Sequence, residues 1–167
     1  SRCIERVKQA LDNTEGAVMA SARVTDPQGK DLFSYWTLLP LWKDLLDTGL
    51  ITRRLFKDML NTPPYRLPNA GDEGSRLVDA VPGSFFMLKP GLLTPQDIEG
   101  LFDSRIFLYY EEKVLGRKFQ EMGLKTVLVT DESYVHAHSA TIDKSLKRMV
   151  DKQRLLHQSK LYYYREY

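Results

Sequence analysis

Residues 2–12 (RCIERVKQALD) carry Cys3, Ile4, Val7 and Leu11 at helical spacing, and Gly16 then introduces GAVMASARV, a compact β-compatible run. That run ends in the turn Asp26-Pro27-Gln28-Gly29, so the first thirty residues read as helix, strand and turn. A second helix opening at Glu111-Glu112 and closing at Met122-Gly123 precedes a second strand, Leu124 to Thr130, with Gly123 suited to a left-handed helix cap. The expected class is α/β, a mixed sheet flanked by helices.

The remaining elements are shorter. Leu32 to Leu60 is rich in aromatic and leucine residues and reads as two helices broken near Pro40 and Gly49. Asn61 to Gly74 holds Pro63, Pro64, Pro68, Gly71 and Gly74, which deny regular backbone hydrogen bonding and predict a loop. Two short β-like runs, Arg76 to Val81 and Ser84 to Leu88, are separated by Pro82-Gly83. Thr94-Pro95-Gln96-Asp97 has the pattern of a capped helix start. Val135 to His138 reads as a short extended piece, and Thr141 to about Tyr163 as a closing helix with a basic face.

At 167 residues with 43% hydrophobic content, the chain supports one ordinary core and not two domains. Its formal charge of +2, with acids and bases interleaved, lacks the basic footprint of a nucleic-acid binder. The single cysteine, Cys3, cannot form an internal disulfide, which is consistent with a reducing compartment. No apolar stretch approaches the roughly 18–20 residues that span a bilayer, and the charged helical opening is unlike a signal peptide. The expected location is the cytoplasm, including the inner face of the plasma membrane.

Three segments follow one another: VDAVPGSFFMLKPGLL (78–93), IEGLFDSRIFLYYEEKVLGRKFQEMGLKTVLVTD (98–131) and VHAHSATIDKS (135–145). In this order and spacing they resemble bacterial family 2 glycosyltransferases, inverting enzymes with a GT-A type fold. Leu101-Phe102-Asp103 and Phe107 to Glu112 stand where that family has a Gly-Phe-Asp and an aromatic run closed by Glu-Asp. The likeness covers roughly residues 75–145, and more weakly residues 2–29. Residues 31–74 are an atypical helical and loop insertion, and residues 141–167 the C-terminal helix. The family's Asp-x-Asp motif occurs nowhere in the chain. The resemblance therefore implies a single partial domain, the acceptor-binding half, expected not to transfer sugar by itself.

An inverting transfer needs a base for the acceptor hydroxyl and cationic stabilisation of the departing diphosphate. The resemblance assigns the base to Glu112, with Glu111 before it, although the family usually has Asp at that position. The same two acids would also be favoured simply by a helix N-terminus. Val114 and Lys118 stand where the family commonly has a further acid and an arginine. On the acceptor side the candidates are Asp79, Gly83 and Ser84, which the resemblance places on a strand pair lining the acceptor pocket, with Tyr110 and Trp36; a turn glycine and core aromatics are the plain alternatives. His136 and His138 lie two apart and could meet the donor phosphate or its metal; a polar strand edge would also account for them.

The resemblance implies a divalent metal, Mg²⁺ or Mn²⁺, held mainly outside this chain, a nucleotide-sugar donor, and a glycan or lipid-linked acceptor, as in cell-surface polysaccharide synthesis. Peripheral membrane contact through the closing helix or the tryptophans, and a homodimer, are further expectations; nucleic acid is not a partner. The rival reading is a non-catalytic carbohydrate-binding or assembly module derived from the same fold.

Overall fold

The computed structural model describes residues 1–48, 50–56, 74–106, 109–136 and 149–167. Helix α1 (Arg2–Asn13) leads through Gly16, at φ +74°, into strand β1 (Ala17–Thr25). Helices α2 (Leu41–Thr48) and α3 (Leu50–Leu55) follow, then strands β2 (Ser75–Val78) and β3 (Met87–Leu88). Short α4 (Pro95–Glu99), α5 (Glu111–Glu121), strand β4 (Lys125–Val135) and α6 (Met149–Glu166) complete the described chain.

The four strands form one open mixed sheet in the order β2-β4-β1-β3. The central pair, β1 and β4, is parallel; β2 and β3 lie antiparallel on the two edges. β1 is buried on both faces, with Ala17 to Ala22 fully inaccessible, as a central strand covered on two sides must be. One face packs Ala20, Ala22, Val127 and Val129 against Cys3, Val7, Ala10 and Leu11 of α1. The other packs Met19 and Leu128 against Leu115 and Phe119 of α5, together with Tyr35, Val81 and Leu101. A third cluster joins Ile106, Tyr110 and Val114 to Tyr163 of α6.

The α/β class, α1, β1, α5 and the capping box at Thr94 agree with the sequence reading; Thr94 and Asp97 exchange both capping hydrogen bonds. Four expectations need correction. Residues 32–40 are not helical: Asp31 bridges Thr25 and Trp36 bridges Ala80, so the aromatic run is extended and the first helix starts only after Pro40. Ile4 lies off the buried stripe of α1 and is exposed, Ala10 taking a place there instead. β4 runs on to Val135, because Arg23 to Thr25 pair with Ser133 to Val135 after a register shift. Arg23 Nε reaches the Thr130 carbonyl at 2.7 Å across that irregularity. Finally, the two β-like runs around Pro82-Gly83 are not neighbours but sit on opposite edges of the sheet. The proposed loop at 61–74, apart from Gly74, and the first turns of the closing helix lie outside the described residues.

The connection between those edges, residues 79–86, runs along α5. Gln120, Gly116 and Glu112, four apart on one helical stripe, meet Asp79, Asp79 with Ala80, and Gly83 in turn. Gly116 permits this approach, since a Cβ there would lie 2.2 Å from the Asp79 carbonyl oxygen and 3.1 Å from Ala80 Cβ. A Cβ there would require one of the two backbones to shift. Gly116→Ala is therefore expected to cost about 1–3 kcal/mol as overpacking, read as a lower midpoint in urea denaturation.

Candidate functional site

Helix α5 delivers its first turn against the connection at Pro82-Gly83. Glu112 is half-buried, and its Oε1 accepts the Gly83 N–H at 3.1 Å. A Cβ on residue 83 would stand 3.2 Å from that same oxygen, so glycine is what lets backbone and carboxylate meet. Burial pushes the Glu112 carboxyl above the ordinary glutamate range. The N–H donors of its own backbone and Gly83 oppose that rise, and neighbouring Glu111 adds to it.

Ser84, the next residue, shares a 2.6 Å hydrogen bond with the Tyr134 hydroxyl near the end of β4. Phe85 stacks edge-on against the same ring, and the Ser21 hydroxyl donates to the Phe85 carbonyl at 2.7 Å. Burial raises the Tyr134 phenol, and the Glu112 charge adds to the effect. Gly83, Ser84, Glu112 and Tyr134 thus form one cluster drawn from three parts of the chain. His136 follows two residues beyond Tyr134, its N–H donating to the Thr25 carbonyl at 2.8 Å. His138 lies outside the described residues.

The other sequence candidates occupy different surroundings. Asp79, Gly83 and Ser84 belong to the connection between β2 and β3 and not to a strand pair. Asp79 ties the fold together: Oδ1 accepts Gln120 Nε2 at 2.9 Å and Oδ2 accepts the Leu38 N–H at 2.8 Å. Trp36 holds the neighbouring bridge to Ala80 and packs edge-on against Phe33. Tyr110 is buried, and its hydroxyl donates to Asp44 Oδ2 at 2.6 Å. Glu111 is exposed and lines a cavity of about 270 Å³ with Leu101, Phe102, Asp103, Ser104, Ile106 and Val114. Within that cavity wall Asp103 is already engaged: Arg105 holds its carboxyl well below the usual range, and the hydroxyls of Tyr162 and Tyr167 donate to it at 2.7 and 2.9 Å.

Among the described residues no three or more His, Cys, Asp or Glu side chains stand together as a metal-binding group. Sequence reasoning missed Tyr134, which follows Asp131, Glu132 and Ser133 and so falls beyond the legible end of the strand, and Asp44, an acid on a short amphipathic helix. No family model, no curated protein and no solved structure matches this chain.

A carboxyl whose folded-state pKa is raised contributes its stability when protonated. That contribution is complete below the unfolded value, about pH 4, and is lost as pH rises through the raised value of the folded chain. Glu112→Gln removes the cost of burying the charge and keeps an acceptor for Gly83. The variant is expected to melt above the unsubstituted protein at pH 8, with the advantage disappearing near pH 4, as followed by circular dichroism.

Proposed function

We propose that this chain is the acceptor-side half of an inverting glycosyltransferase of the family 2, GT-A type, with Glu112 as the general base. The observation that carries the reading is the contact of Glu112 with Gly83. The two residues, 29 positions apart, fall in separate segments of the family-like series, and coincidental similarity would give no reason for them to meet. A half-buried carboxyl with an upward-shifted pKa also suits a base acting near neutral pH.

In this reading Glu112 takes the proton of the acceptor hydroxyl as that oxygen attacks the anomeric carbon of the nucleotide sugar. The bond from that carbon to the diphosphate breaks on the opposite face, and the configuration inverts. Gly83 and Ser84 border the acceptor, while His136 and His138 are assigned to the donor phosphate side. A Mg²⁺ or Mn²⁺ ion, when bound, would offset diphosphate charge; its ligands are assigned to a nucleotide-binding segment that carries the missing Asp-x-Asp motif. The acceptor is a saccharide or lipid-linked saccharide.

Contact with an anionic membrane surface fits the α2–α3 pair better than the closing helix. Leu41, Trp42, Leu45, Ile51, Leu55 and Phe56 are exposed there, with Lys43 over the Trp42 ring and Arg54 beside them. The tyrosines of α6 instead turn inward, onto Asp44, Asp103 and the third core cluster. Among the described residues no helix is long and apolar enough to cross a membrane. Co-sedimentation with phosphatidylcholine vesicles containing phosphatidylglycerol is expected, weakening with salt and in Trp42→Ser/Leu55→Ser, and absent with phosphatidylcholine alone.

For catalysis, the chain joined to its nucleotide-binding half is assayed for transfer over a panel of nucleotide sugars. Glu112→Gln is expected to lower transfer by about 10²–10⁴-fold with nucleotide binding retained. Bound nucleotide with no transfer by either protein would favour the binding-module reading.

A further inference from the structure

Glu112 stands on a backbone that does not hold itself. Tyr109 and Tyr110, the two residues before α5, both have positive φ, at 77° and 73°. For a residue with a Cβ this conformation is disfavoured by about 1–2 kcal/mol, and here two aromatic residues adopt it in succession. Something outside the local sequence has to maintain the turn.

Asp44 of α2 is the group in place to do so. Its side chain is almost wholly buried, at 4% exposure for the residue. Oδ2 accepts the Tyr110 hydroxyl at 2.6 Å and lies 3.2 Å from Lys160 Nζ of α6. The Tyr164 hydroxyl, 3.0 Å from the same oxygen, is shared with the Leu39 carbonyl at 2.9 Å. Lys160 also donates to the Asp44 backbone carbonyl at 2.5 Å. From α5, Lys113 Nζ comes within 3.8 Å of Oδ1 and sits 4.3 Å from the centre of the Tyr110 ring. Burial alone would push the Asp44 carboxyl up; Lys113, the tyrosine donors and Lys160 outweigh it and hold the carboxylate ionised. Residues 110 and 113, which bracket Glu111 and Glu112, are thereby both fixed to one carboxylate.

Resting on the assignment of Glu112 as base, we propose that Asp44 is a positioning residue: through Tyr110 and Lys113 it sets the rotation of the first turn of α5, so that Glu112 faces Gly83. Stability alone gives little reason for such a group, since a buried ion pair can often be replaced by apolar side chains at no loss. What the arrangement supplies is one defined orientation. It also makes the geometry of the base depend on α2 and α6, neither of which contributes a side chain to the Gly83–Glu112 contact.

The test uses the 167-residue chain with ¹³C-labelled glutamate carboxyls, assigned through Glu112→Gln and titrated by NMR. Glu111 and Lys113 of α5 and Tyr134 of β4 face or neighbour Glu112, and all are retained in the variants compared. Tyr110→Phe removes one hydroxyl and no charge. It is expected to bring the Glu112 midpoint down toward the ordinary glutamate range, as the carboxyl swings away from Gly83, and to lose the chemical-shift signature of the Gly83 N–H bond. Tyr164→Phe removes a different donor from the same oxygen and is expected to lower the melting temperature while leaving the Glu112 midpoint in place. An unchanged midpoint in folded Tyr110→Phe, or an equal fall in both variants, would overturn the proposal. If Tyr110→Phe fails to fold, Asp44→Asn carries the same comparison against Tyr164→Phe. Because the titration needs neither donor nor acceptor, a shifted midpoint in a protein that transfers no sugar would leave the anchor standing and remove only the catalytic reading.

Discussion

The parallel pairing of β1 with β4 is the constraint on which the rest of the structure depends. Two strands buried on both faces require a helical or aromatic layer on each side, and α1 and α5 supply most of it. α1 packs on the alanines of β1, and because α5 carries Gly116, residues 79–80 can pass beneath it. The edge-to-edge connection then has one route, along the helix stripe formed by Gln120, Gly116 and Glu112. The Glu112–Gly83 contact lies at the end of that route, so the geometry of the cluster follows from how the sheet is covered.

The chain places similar acids in two different electrostatic settings. Asp44 and Asp103 are surrounded by cations and tyrosine hydroxyls that keep them ionised. Glu112 has backbone donors and a neighbouring carboxylate, and burial prevails, raising its proton affinity. Asp44 and Asp103 are structural ties between the closing helix and the body of the domain. Glu112 alone among them has its proton affinity held above the ordinary range for its type.

Glu112, Gly83 and Ser84, all within the motif series, lie in one cluster with Tyr134. For Asp79, Tyr110 and Trp36 the fold shows structural engagements, with the Leu38 amide and Gln120, with Asp44, and with Ala80.

Elements with local causes were legible in the amino-acid sequence. The apolar stripe of α1, the small-residue run of β1, the Thr94 capping box and Gly123 at φ +70° each follow from a few adjacent residues. The α/β class followed from these, since periodicity and turn chemistry act over distances of one or two turns. Tertiary structure alone decided that residues 32–40 are not helical, because the backbone of Leu32 bonds to Val24 and that of Trp36 to Ala80, and that the runs flanking Pro82-Gly83 part to opposite edges, because β4 and β1 occupy the space between them. It also decided that Tyr110 takes a left-handed conformation, since the carboxylate that holds it belongs to a residue 66 positions away. The sequence determined which pieces could form, and long-range pairing and burial determined which side chains met.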